Sequence, residues 1–367
     1  MRLLKHVEMI DLLENRLLDT NPYVRSKAVQ GIIKLASLKP RVTDQNSQNT
    51  ILPFQRRKVL WTQIAVRSLQ DRSYLVRRYC IKLVSMILLN HPFSALHGSQ
   101  LAESVWNKRL QDTESALEKL NEAIDDHAEK EPTSDAAKLM VINEGLGKLK
   151  LTIQYYKDAL EYINLLNEAL DQCCKLISSK NKSEVIESMD FFVLADAYDV
   201  ERAYVGIKKM LHLIWQQNDN IQSTSGQATS TQGFNSATTV SVPQHLVQCY
   251  KTLFLTAPDD CDDKEKAAYI AKNLINLTIS ASFSDLASLE RILILLLREK
   301  VINSNVITVL WVIFKSFLKQ DTVFNTDQIH GSIIIIGMLA SEDHRVVSKE
   351  IETLLSVGLH DNDGQED

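Results

Sequence analysis

The chain has 367 residues, 45% of them hydrophobic, with 41 Lys and Arg against 46 Asp and Glu for a net charge of -5. Only 11 glycines and 7 prolines occur, about half or less of ordinary usage, which disfavours turn-dense β sandwiches and glycine-rich nucleotide-binding folds and points to an all-helical chain. With such a balance any contact with nucleic acid must come from a local basic patch.

In chain order the first signal is an internal repeat. Asp19 to Ala28 falls on Asp71 to Cys80, and the register continues with Ile32 on Val84 and Leu35 on Ile87. Within each copy Val24, Ala28, Ile32 and Leu35, or Val76, Cys80, Val84 and Ile87, recur at helical spacing and predict one apolar stripe. Each copy therefore reads as two amphipathic helices joined by a short turn. The turn carries Asp19 or Asp71, and the second helix opens with Val24-Arg25 or Val76-Arg77. Here the valine is expected in the core, the Asp as a cap, and the Arg in a bond to Asp19, Asp71 or a neighbouring repeat. Such helix pairs resemble HEAT repeats, which bury their apolar faces only by stacking into an α-solenoid. The polar stretch Lys39 to Thr50 predicts an inserted loop.

Gln100 to Lys130 predicts a long acidic helix, and a second helix is expected from a cap at Ser134 to about Ile177. Ser183 and Asp199 are expected to cap two more helices, with Ile186, Met189 and Val193 inward on the first. Residues 218 to 241 are almost wholly Ser, Thr, Gln, Asn and Gly. A segment so poor in apolar residues cannot offset its ordering entropy, which predicts disorder. Helices resume at Gln244–Thr256, Asp263–Ser280, Asp285–Lys300, Ser304–Leu318, Thr326–Ala340 and His344–Val357, before a polar tail. The expected organisation is thus 1–98 repeats with a basic segment, 99–180 a helical hairpin, 181–217 a helix pair, 218–242 a disordered loop, 243–358 further helix pairs and 359–367 a tail.

Catalytic patterns are missing from the sequence: no P-loop, dinucleotide fingerprint, His-Glu-x-x-His or nucleophile elbow occurs. His245, Cys249 and Cys261 lack a fourth ligand at zinc spacing, so no metal is expected. No cofactor, catalytic residue, small-molecule substrate or membrane span is expected either. The five cysteines read as reduced thiols of a cytosolic or nuclear protein. Charge is uneven, however. Lys39 to Lys82 holds ten basic residues against two acidic ones, a net +8 that makes this stretch the place to seek a DNA contact. Arg25 and Arg77 are expected to be structural, which leaves Arg56, Arg57, Lys58, Arg78 and Lys82 as candidate phosphate ligands. Conversely, Asp112 to Asp135 carries nine acids and two lysines and should be kept from DNA by repulsion.

Three stretches carry a further likeness: Ser183-Glu-Val-Ile-Glu-Ser-Met-Asp-Phe-Phe192, Ala203-Tyr-Val-Gly206-Ile-Lys-Lys-Met-Leu211-His-Leu-Ile-Trp215, and Tyr250-Lys-Thr-Leu-Phe-Leu255. With the Leu18 to Arg25 turn upstream, they resemble the D2-type HEAT-subunit family of condensin. The resemblance implies a non-catalytic subunit of the nucleus and chromosome, with the cytoplasm possible outside mitosis. Its implied partners are the kleisin, the structural-maintenance ATPase subunits, and DNA or chromatin during mitotic condensation. Family members are much longer, and the family's proline-directed phosphorylation finds no target, because none of the seven prolines follows Ser or Thr. A HEAT adaptor of transport or phosphatase assemblies is the alternative reading.

Overall fold

A computed structural model describes residues 7–38, 48–94, 98–130, 136–216, 241–258, 260–316 and 324–358. The loop expected at 218–241 lies outside these residues apart from Ser241, as does most of the 39–50 insert. The described residues contain helices and no strand, and no helix among them is long and apolar enough to cross a membrane. The chain divides into two compact units, Met1–Lys208 and Lys209–Asp367.

The first unit begins with α1 (Val7–Asn15), a 3-10 turn (Arg16–Leu18), α2 (Pro22–Ala36), α3 (Gln48–Ser68) and α4 (Tyr74–Leu89). Local chemistry sets the start of α2. Asn21 Oδ1 accepts from the Tyr23 amide at 2.9 Å, and Pro22 fills the first helical position, where its missing N–H costs nothing. Asp19 is therefore not the cap itself; its Oδ1 accepts from the Asn21 amide at 2.9 Å and holds the capping residue in place. The repeat turns up again in burial. Ala28, Ile32 and Leu35, and in the second copy Cys80, Val84 and Ile87, are all buried where α2 packs on α4. Val76 is likewise buried, at 1% exposure, but Val24 is 36% exposed, against expectation. Helix α4 packs against α2, α3 and two later helices, whereas α2 packs chiefly on α4, the 3-10 turn and α1 among the described residues.

Next comes a hairpin of α5 (Glu103–Lys130) and α6 (Ala136–Leu176), followed by α7 (Lys182–Ala197) and α8 (Ala203–Met210). Asn181, not Ser183, caps α7, its Oδ1 accepting from the Ser183 amide at 3.1 Å. Asp199 caps nothing; it takes a left-handed φ of 54° in the turn before α8. Superposing the caps Asn21, Ser73 and Asn181 exposes a third repeat copy. Ala28, Cys80 and Ser188 then coincide, as do Ile32, Val84 and Phe192, and all six are buried. This copy is hidden in the sequence because the hairpin lengthens its spacing from 52 to 108 residues, counted cap to cap along the chain.

The hairpin is rooted in aromatic packing. Phe93 meets Trp106, Tyr155 and Tyr162 at centroid distances of 6.5, 5.4 and 5.7 Å, and the Tyr155 hydroxyl donates to the Phe93 carbonyl at 2.9 Å. His91 stacks beside Tyr162 and is 2% exposed. Burial pushes its imidazole from an ordinary 6.5 down to about 4, with Lys58 nearby acting in the same direction. Between these two values the unfolded chain binds the proton that the folded chain excludes. This contribution, about 3 kcal/mol, is therefore complete above pH 6.5 and lost as pH falls toward 4. His91→Gln should show a smaller loss of denaturation midpoint between pH 7 and pH 4.5 than the parent; equal losses would contradict the assignment.

In the second unit, the 3-10 turn Leu211–Trp215 is followed by α9 (Val242–Tyr250), a π-helical turn (Lys251–Leu255), α10 (Asp263–Thr278), α11 (Phe283–Arg298), α12 (Ser304–Ser316), α13 (Thr326–Ala340), α14 (Arg345–Ser348) and α15 (Ile351–Gly358). Reciprocal capping boxes open four of these helices: Ser241 with Gln244, Asp262 with Glu265, Ser282 with Asp285, and Asn325 with Gln328. Each satisfies two otherwise orphaned amides. Helix α13 packs on α10 through Gly331, where an added Cβ would lie 2.6 Å from Thr278 Oγ1 and 2.8 Å from Ile275 Cγ2.

Candidate nucleic-acid interface and the ion ladder

The basic segment is largely occupied by the protein itself. Arg57 bonds Asp11 at 2.7 Å and Glu14 at 2.9 Å, both on α1. Glu14 also accepts from the indole of the wholly buried Trp61 at 2.6 Å, so α1 and α3 are joined by two carboxylates and two donor side chains. Lys58 is 3% exposed, its Nζ donates to the Asn90 carbonyl at 2.6 Å, and desolvation lowers its pKa. Arg78 and Lys82 share Glu187 on α7, at 3.3 and 3.0 Å. The expectation that these four side chains have no intramolecular obligation is thus corrected. The acids of Arg57, Arg78 and Lys82 lie on helices 43 to 109 residues away in sequence, and the carbonyl held by Lys58 lies 32 away, beyond the reach of local charge counting.

Arg25 and Arg77 form a ladder along α2, α4 and α7. Arg25 makes a two-pronged bond to Asp71, both contacts at 2.9 Å, while its Nη1 donates to the carbonyls of Asp19 and Thr20. Arg77 repeats the arrangement one copy later, donating to the carbonyls of Asp71 and Arg72 and to Glu184 Oε1 at 2.6 Å. Desolvation opposes ionisation of Asp71, yet the bonds from Arg25 and the Ser73 amide win and hold its carboxyl below the usual range. In the third copy the acid has moved. By cap register Ser179 stands where Asp71 would, and Glu184 where Val76 would; Ser179 Oγ donates to Glu184 Oε2 at 2.6 Å. Val185 occupies the arginine position, so the ladder stops at α7.

Of the five candidate phosphate ligands, Arg56 alone is exposed as a whole residue, and among the described residues it has no acidic partner. Arg67, not among the five, is exposed and unpaired in the same sense. Eleven residues separate them on α3, about three turns, so the two guanidinium groups stand on one face roughly 16 Å apart. Their eleven-residue spacing in the sequence is the signal that pairs them.

The Gly206–Trp215 string gains a physical reason at its first residue. The ring of Phe192 lies against Gly206 so closely that any Cβ there would collide with it. At the other end, Trp215 is 55% exposed.

Stacked helix pairs in common register, braced by Arg–acid bonds from one pair to the next, define a helical repeat protein of the HEAT type. No family model matches the sequence. Condensin complex subunit 1 of Saccharomyces cerevisiae is 42% identical over 400 residues, covering 96% of this chain and 32% of that protein. Its counterpart in Schizosaccharomyces pombe is 35% identical, over 96% of this chain and 30% of that protein. A designed armadillo repeat protein overlaps with a TM-score of 0.33 at 11% identity, covering 90% of this chain and 99% of that one. The chain is a homologue of condensin complex subunit 1, and it spans about a third of the length of the curated relatives it matches.

Proposed function

We propose that the chain serves as a non-catalytic HEAT-repeat subunit of the condensin complex, binding the kleisin and the ATPase heads and contacting DNA during mitotic chromosome condensation in the nucleus. The observation that carries this reading is the 42% identity along 96% of the chain. The ladder supports a scaffold role, because ionised side chains that could serve chemistry are instead spent on holding repeats together.

The DNA contact rests on Arg56 and Arg67. Two phosphate contacts on one helix face give sequence-independent binding with a salt slope near two units. Co-expression with a condensin kleisin and the paired ATPase subunits should yield one complex, and Arg56→Glu with Arg67→Glu should leave that complex intact. The same double variant should weaken binding of random duplex and flatten its salt dependence by about two units. Failure to copurify would overturn the condensin reading. Unchanged affinity and slope in fluorescence anisotropy would overturn the DNA contact alone.

A further inference from the structure

In the second unit one tryptophan is held open to solvent. Trp61, Trp106 and Trp311 are 0%, 0% and 4% exposed, whereas Trp215 is 55% exposed. Its indole N–H donates to Ser288 Oγ on α11 at 2.9 Å, and that buried hydroxyl donates in turn to the Ser284 carbonyl at 2.9 Å. His212 stands beside it, with Nδ1 3.1 Å from Ser288 Oγ and Nε2 3.1 Å from Asp285 Oδ1. The indole edge is thereby fixed to α11 while the ring remains accessible.

A cation lies against this ring. The Arg291 guanidinium lies 5.8 Å from its centroid, and Lys209 precedes His212 by one turn on the same line of side chains. Lys209 and Arg291 are exposed and have no acidic partner among the described residues. The nearby Asp285 carboxylate is buried and engaged by His212 and by the Ser282 amide at 2.9 Å. A rigid aromatic anchor beside an arginine is the composition of an interface hot spot, since little side-chain freedom remains to be lost on binding.

We propose that Trp215, Arg291 and Lys209 form a docking point for an acidic peptide segment of a partner protein. An apolar side chain of the peptide covers the indole, and carboxylates flanking it pair with the two cations. Charge complementarity selects this occupant. A nucleic-acid strand needs a longer basic track beside its stacking platform, and one arginine at the ring with a lysine six residues before Trp215 in the chain does not supply one. The inference does not depend on which complex the chain joins.

The exposed indole reports on its own site. In the full chain, acrylamide quenching attributable to Trp215, obtained by difference from Trp215→Phe, should fall about twofold when a short Asp/Glu peptide carrying two leucines is added. The Asn/Gln version of that peptide should give no protection. Arg291→Glu with Lys209→Glu should weaken the peptide about tenfold, with the circular dichroism unchanged. Should that pair fail to fold, Arg291→Gln with Lys209→Gln should show a smaller weakening in the same direction. Equal protection by the uncharged peptide, or none by either, would overturn the proposal. Protection by an oligothymidylate and not by the acidic peptide would replace it with a nucleic-acid platform.

Discussion

Val76→Asp should destabilise the chain by several kcal/mol, while Val24→Asp, at the equivalent position of the preceding repeat, should cost less than about 1 kcal/mol. The contrast follows from burial. Val76 is 1% exposed between α4 and its neighbours, so an aspartate there must either ionise without solvent or give up its charge. Val24, at 36% exposure, leaves the new carboxylate within reach of water. Denaturant midpoints of the two variants in the full chain provide the test, and similar midpoints would show that the two positions are packed alike.

Glu184→Ala should be the most damaging change to the ladder, at about 3 kcal/mol. The Glu184 side chain is 0% exposed and that of Arg77 only 19%. Removing the acid strands a guanidinium in a place where water barely reaches. The loss sits at the low end for a broken buried pair because Arg77 keeps the carbonyls of Asp71 and Arg72. Glu184→Gln, whose oxygen can still accept from Arg77 while its amide N–H donates to the Ser179 hydroxyl, should recover part of the loss. By contrast, Arg298 and Glu342 form a two-pronged pair with side chains 60% and 28% exposed. Glu342→Ala should leave the midpoint nearly unchanged, because solvent screens an exposed pair and its long side chains regain freedom when it is broken. An equal effect of Glu184→Ala and Glu342→Ala would refute the ranking.

The helical class, the first two helix pairs, the long hairpin and most later helices could be read from local patterns. The reason is physical. Apolar residues at 3.6-residue spacing and a polar cap before them act within a turn or two, so they are written contiguously in the chain. The condensin-like strings at Ser183, Ala203 and Tyr250 were legible for the same reason, being unbroken runs.

Partnership between distant residues was not legible. Charge along one segment points to five candidate DNA ligands, yet Arg57 answers to Asp11 and Glu14, Lys58 to Asn90, and Arg78 and Lys82 to Glu187. Whether a cation is free for phosphate depends on which carboxylates folding brings within about 4 Å, and sequence separation says nothing of that. The third repeat copy was concealed similarly, since the α5–α6 hairpin changes the spacing but not the burial register. What the sequence determined by itself was the set of elements and their apolar faces, because those depend on neighbours along the helix. Only tertiary packing decided that Val76 is buried and Val24 is not, that Gly206 must make room for Phe192, and that Trp215 stays in solvent, because each depends on which helix lies across from it.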